Sequence, residues 1–279
     1  MAKGPMLPTR GGGLGAIMTA ELDWEPIRAL GRRVIERGEP LELSDEVRTL
    51  FQRSAEEVAL SPEDAASALS SVPTAITLLG EITRRIDEGS DRLCKAEIQA
   101  SDLQDAGDLD GACRLMEEVL AVEVVPHYRR IAESQLRKAT MLKSVAASGQ
   151  ADPKLSVRDQ IPVLLHRVQQ GQPLELTEGM RAFLRRAAAD VGMSETETEP
   201  ALATSESAGA LLGQIMGRFR DASDRLKSAM YRMTELRDAG DLEGARQQIR
   251  DWLAVEVVPR FRRAAEENLA DLDEPPPAP

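Results

Sequence analysis

The sequence predicts an all-α protein: two tandem copies of a helical domain, each with short N-terminal helices followed by a long antiparallel helical hairpin with a proline-kinked last helix. Three observations predict it. Aromatic residues make up only 3% of the 279 positions, so Leu, Val, Ile, Ala and Met must build the core, and that palette favours helices over sheets. Long segments carry apolar residues in alternating steps of three and four, as a helical seam requires. And Asp105-Ala106-Gly107-Asp108-Leu109-Asp110-Gly111-Ala112 recurs as Asp238-Ala239-Gly240-Asp241-Leu242-Glu243-Gly244-Ala245, an offset of 133 positions.

The same offset relates Leu120–Pro126 to Leu253–Pro259, Pro40–Leu43 to Pro173–Leu176 and Ser90–Leu93 to Ser223–Leu226. Roughly forty identities fall on the gap-free alignment, which marks a duplication. The expected organisation is a disordered extension over 1–21, repeat one over 22–139, a linker over 140–155, repeat two over 156–272 and a proline-rich disordered tail over 273–279. The linker carries Ser148-Gly149-Gln150-Ala151-Asp152-Pro153, a run of turn and breaker residues. Residues 1–17 hold five glycines and no sustained apolar core for a signal peptide, so translation is expected to start at Met18, which an intact-mass measurement would check.

Within the first copy, Trp24 to Arg37 has a helical pattern and stops at Gly38. Glu39-Pro40-Leu41-Glu42-Leu43 is expected to be extended, because the residue before a proline avoids the helical region. Ser44 is the expected N-cap of the next helix, which runs to Ala59. Ser61-Pro62-Glu63-Asp64 supplies a cap, a proline at the first position and acids in the first turn, so a third helix restarts there. A long helix follows from Val72 to Asp105, with the seam Leu79, Ile82, Ile86, Gly89, Leu93, Ala96, Ala100 and Leu103. The second copy repeats it as Leu212, Ile215, Phe219, Ala222, Leu226, Ala229, Met233 and Leu236.

Gly107 and Gly240 are expected to end the long helices, and Asp108 and Asp241 to cap the helices that return. Each return helix is expected to kink at Pro126 or Pro259, since proline removes one amide and crowds the carbonyl four residues back. The first of them is expected to end near Lys138. Arg92 lies fifteen residues before Gly107, and Glu123 sixteen after it, so the two meet at one height on antiparallel helices. Arg225 and Glu256 repeat the arrangement. An interhelical ion pair is expected in both copies, worth ~0–1 kcal/mol if exposed, with register as its role.

Several motifs read more plainly than they first look. Asp108, Asp110, Gly111 and Glu117 match part of a calcium loop, but position one is Ala106, and the second copy has Arg250 at position twelve. The corner also resembles one turn of a tetratricopeptide repeat, whose period near 34 residues does not fit. His127 and His166, the only histidines, have no metal-ligand spacing to another histidine or cysteine. Gly11–Ala16 follows no strand, so it is no dinucleotide loop. Cys94 and Cys113 align with Lys227 and Arg246 and are spaced too far apart along the hairpin to bridge. Arg129-Arg130 and Arg262-Arg263 read as salt-bridging clusters.

The repeat resembles the DUSAM domain, a paralogous family of uncharacterised proteins abundant in myxobacteria. The resemblance rests on Trp24-Glu25-Pro26-Ile27-Arg28-Ala29-Leu30, Gly38–Leu43, Arg53-Ser54-Ala55, the Asp-Ala-Gly-Asp-Leu corner and Leu120–Pro126. It covers nearly the whole chain, twice. The second copy departs at Val157-Arg158-Asp159-Gln160 and replaces Pro62-Glu63-Asp64 with Glu195-Thr196-Glu197. It also inserts Pro200, which disturbs its third helix. The resemblance implies a bacterial origin and brings no functional residue with it.

The net charge of −12 argues against nucleic acid, because a phosphate backbone needs a concentrated positive surface. No apolar run approaches membrane-spanning length, and two unpaired cysteines fit a reduced cytoplasm. No cofactor, metal or catalytic set is expected. The leading expectation is a non-catalytic protein–protein interaction module, regulatory or adaptor in kind, that meets a protein partner or a second copy of itself through helical faces. The alternative is a small-ligand or toxin-neutralising, immunity-type binding protein, and an enzyme ranks third.

Overall fold

The structure, a computed structural model, describes residues 22–273. The extension over 1–21, the Met18 start and the tail beyond 273 lie outside the described residues. Among the described residues there are twelve α-helices, one π turn and one 3-10 turn, and no strand. The chain divides into two compact units. One holds the described residues up to Ser90 together with Val124–His127, and the other holds Asp91–Glu123 and everything from Tyr128 onward.

In the first unit, α1 (Glu25–Gly31) runs into a π turn over Arg32–Glu36 and stops before Gly38, whose φ is +70°. The chain is then extended to Ser44, whose hydroxyl accepts from the Val47 amide and starts α2 (Asp45–Glu57). Ser61 caps α3 (Pro62–Ala68) in the same way, with Pro62 at the first helical position. The long helix α4 spans Val72–Asp105 and contributes its first half to this unit. Ile27, Phe51, Val58, Leu79, Ile82 and Ile86 are fully buried and form its interior. Two arginines close open helix ends: Arg85 Nη1 donates to the carbonyls of Val58 and Ala59, both at 3.0 Å, and Arg48 Nη1 to that of Leu69 at 2.8 Å.

The second unit holds the remainder of α4, then α5 (Leu109–Val122) and, from Tyr128 onward, α6 (Pro126–Ser148). It continues with α7 (Val157–Gln169), α8 (Glu178–Asp190), a single turn α9 (Glu195–Thr198), the 3-10 turn Glu199–Leu202, α10 (Ser205–Asp238), α11 (Leu242–Val255) and α12 (Pro259–Asp273). The long helix α10 packs against α7, α8, α11 and α12. Phe183, Leu184, Leu212, Ile215 and Ile249 lie in its core, and Leu109, Leu142 and Val145 from the first copy's hairpin join the same cluster. The arginine closures recur at the 133-residue offset: Arg181 donates to the Leu202 carbonyl, and Arg218 to that of Gly192 at 3.4 Å and to Glu197 at 2.6 Å. The Ser194 amide and hydroxyl, with Arg218, hold the Glu197 carboxyl down at about 2.

Two expectations are corrected. The return helix is not one kinked rod, because residues 123–125 and 256–258 are non-helical and Pro126 and Pro259 begin new helices. A proline is favoured at a first helical position, where no amide partner is lost, so starting afresh is cheaper than bending. The helix expected to end near Lys138 continues to Ser148, because Ala139, Leu142 and Val145 carry its buried face onward; Gly149, with φ +67°, stops it. Only 149–156 therefore remains irregular before α7. Gln160 anchors that segment from a fully buried position, accepting from the Asp152 amide at 2.7 Å and donating to the carbonyls of Asp152 and Leu155. In the second copy the disturbed third helix is a single turn passing into the 3-10 turn that contains Pro200.

Candidate functional site

The segment that is identical in both copies, Leu-Ala-Val-Glu-Val-Val-Pro, forms the break between the two return helices. Its glutamate turns inward. The Glu123 and Glu256 side chains are 1% and 0% exposed, while their partners Arg92 and Arg225 stay one-third to one-half exposed. Arg92 pairs with Glu123, and Arg225 Nη2 meets Glu256 Oε2 at 2.9 Å. In the second copy Glu256 Oε1 also accepts from the Val257 and Val258 amides at 3.0 and 2.8 Å, which satisfies donors freed by the break. A second arginine closes the preceding helix. Arg129 Nη1 donates to the Leu120 and Glu123 carbonyls, at 2.7 and 2.8 Å, and Arg262 does the same for Leu253 and Glu256. These ion pairs therefore hold a buried backbone opening rather than lying on an exposed face.

Folding accounts for the glutamate, the last valine and the proline of this segment. Two valines in each copy nevertheless keep their side chains largely exposed. Val122 and Val124 are 60% and 50% exposed, and Val255 and Val257 are 69% and 57% exposed. Scattered single apolar residues are ordinary on a surface. Here the same pair recurs on either side of the same buried glutamate.

The corners sit where expected. Gly107 and Gly240 have φ of +82° and +83°, and Asp108 and Asp241 accept from the amides of Gly111 and Gly244 at 2.7 and 2.8 Å. They differ in surroundings. A Cβ on Gly107 would fall 2.6 Å from the His166 ring, whereas one on Gly240 would meet open space. Gly240→Ala is thus expected to cost about 1–2 kcal/mol, from left-handed strain alone. Gly107→Ala is expected to cost roughly 1–3 kcal/mol more, from overpacking. Urea titration of both, with and without His166→Ala, checks this; equal costs in the wild-type background would refute the crowding.

A cleft of about 470 Å³ opens beside that corner, with Lys143, His166, Arg167 and Gln172 on its walls. Most of its charged groups are engaged, but the Arg167 Nε is buried without a hydrogen-bond partner. Lys143 pairs with Asp110, Arg167 Nη1 donates to the Ala146 carbonyl at 2.7 Å, and His166 Nε2 lies 2.8 Å from Gln170 Nε2. Asp110 and Asp108 are thereby spoken for as lysine partner and helix cap. Among the described residues, no group of three His, Cys, Asp or Glu is placed to hold a metal. Cys94 is exposed and Cys113 buried, and neither is bonded to the other. No helix of the described residues is long and apolar enough to cross a membrane.

Sequence reasoning found the Arg–Glu pairs but not their second arginines, which read as mere salt-bridging clusters. The available signal was that Arg129 and Arg262 repeat at the 133-residue offset. A family model described as "Protein of unknown function (DUF2379)" matches the chain twice, over residues 22–139 and 157–272. No curated protein and no solved structure matches it.

Proposed function

We propose, for a chain that belongs to the DUF2379 family through both of its repeats, a non-catalytic protein–protein interaction module of regulatory or adaptor kind. The observation that carries this reading is the pair of exposed valines flanking a buried glutamate, written identically in the two copies. Burying one valine contributes about 1.5 kcal/mol or more, so a single break gives a weak contact. Two breaks on one chain can act together as a bivalent surface. The partner is a protein, or a second copy of this chain. The finer reading places the chain with the DUSAM domains of myxobacteria and in the cytoplasm. Support for that comes from Trp24–Leu30, the corner motif and the unpaired cysteines.

The test is affinity capture from the native host with the wild-type chain and with a Val122→Asp, Val255→Asp, Val257→Asp variant, beside light scattering of each pure protein. The expected result is a specific partner, or self-association, held by the wild type and lost by a variant with unchanged circular dichroism. A wild-type monomer that captures nothing overturns the reading. The cleft beside Gly107 favours a second reading, a small-ligand or toxin-neutralising protein. It ranks lower because its lysine and histidine are already bonded within the protein and its arginine is bonded through Nη1, which leaves the buried Arg167 Nε as its one donor without a partner.

A further inference from the structure

Within an acidic chain, one surface of the second unit collects unpaired cations. Arg158, at the start of α7, stands over the Phe219 ring of α10, its Cζ 5.0 Å from the centroid. Phe219 in turn lies 5.2 Å from the Phe261 ring of α12, at an interplanar angle of 43°. Arg260 precedes Phe261, and Arg263 follows one helical turn after Arg260, so both share its face of α12. All three arginines are exposed. In the same unit Arg185, Arg218, Arg225, Arg246 and Arg250 each have a carboxylate partner, while others of the described residues, among them Arg186, Arg220 and Arg232, do not. Arg158, Arg260 and Arg263 have none among the described residues. The acid beside them, Asp159, is shared between Lys138 Nζ at 3.4 Å and the Ser156 hydroxyl at 2.8 Å. Arg260 is held below the usual guanidinium range, first by partial desolvation against its neighbours and then by repulsion from Arg158 and Arg263.

The first copy does not have this surface. Glu25 stands where the second copy has Arg158, and His127 where it has Arg260. Trp24 covers that place, edge-on to His127 with ring centroids 5.6 Å apart, and its Nε1 donates to Glu57 at 2.9 Å. The second copy has Val157 in place of Trp24. The duplicate has thus lost the covering ring, reversed one charge and gained two arginines around an aromatic pair.

We propose that Arg158, Arg260 and Arg263, set around Phe219, form a docking site for an acidic segment of a partner protein, with carboxylates spaced about an apolar side chain. Charge complementarity selects the occupant: guanidinium groups bind carboxylates in bidentate fashion, and the half-buried Phe219 offers an apolar floor. A nucleic-acid backbone fits less well, since a patch of three arginines would have to hold it against a net charge of −12. The site is separate from the valine pairs and shares with them only the premise of a protein partner.

Fluorescence anisotropy of the full chain with a short fluorescein-labelled peptide of alternating glutamate and leucine tests this, beside a lysine–leucine peptide and oligothymidine. The glutamate peptide is expected to bind, to weaken as salt rises and to lose at least tenfold in affinity with Arg158→Glu, Arg260→Glu. The milder pair Arg158→Gln, Arg260→Gln is expected to act in the same direction, with unchanged circular dichroism for both. No binding to the wild type, equal binding to either folded variant, or tighter binding of oligothymidine would each overturn the proposal. The valine variants keep all three arginines, so failure at one surface is distinguishable from failure at the other.

Discussion

Glu256→Ala is expected to lower stability by about 3 kcal/mol or more, with a melting temperature lower by roughly 6–12 °C. The carboxylate is fully buried and does three jobs at once. It accepts from the amides of Val257 and Val258, and it receives Arg225. Alanine leaves the buried Val258 amide without its acceptor, and an orphaned buried donor costs about 1–3 kcal/mol by itself. Arg225→Gln is expected to cost less, about 1–3 kcal/mol, because glutamine can still donate to the buried carboxylate but leaves it without its counter-charge. Urea unfolding of both variants measures the asymmetry. Small and equal losses would mean the pair acts as an ordinary surface ion pair.

Gly192→Ala is expected to cost about 3 kcal/mol, by adding left-handed strain to a steric clash. Its φ is +71°, and an added Cβ would sit 2.7 Å from the Val257 carbonyl oxygen. That oxygen belongs to the backbone of the break and cannot swing aside as a side chain would. The first copy has Ala59 at the same place in the repeat, with φ +60°. Ala59→Gly is therefore expected to stabilise by about 1 kcal/mol, through relief of that strain. Thermal melts of the two single variants should shift in opposite directions. A shift of one sign for both would show that the two copies do not use this turn alike.

The helix starts were legible in the sequence because caps act locally. Ser44, Ser61, Asp108 and Asp241 each bond an amide three residues ahead, and their residue type next to an apolar run is enough to announce them. The long helix Val72–Asp105 was legible for a related reason, since its seam runs unbroken to a glycine that tolerates positive φ. Pro126 was misjudged because a proline carries two local meanings, a kink inside a helix or the first residue of a new one. Burial of Glu123 and the closing bonds from Arg129 decide between them, and neither can be seen in the local pattern. Gln160 was invisible for a similar reason: it occupies the place of the buried Ile27 and earns burial only through bonds to a linker eight residues back.

The sequence by itself determined the all-α class, the duplication, the corners and the partners Arg92–Glu123 and Arg225–Glu256. Those follow from the 3.6-residue period, the backbone freedom of glycine and a 133-residue offset, all of which operate over short spans or can be counted. Tertiary structure alone decided that the glutamates are buried, that the return helix breaks in two and that α6 extends to Ser148. It also decided that the compact units part at Ser90, inside the first repeat, and that Leu109, Leu142 and Val145 join the second copy's core. The physical reason is that burial is a property of what a face meets. Two copies of nearly one sequence can share every local signal and still differ in which apolar and charged faces find a neighbour.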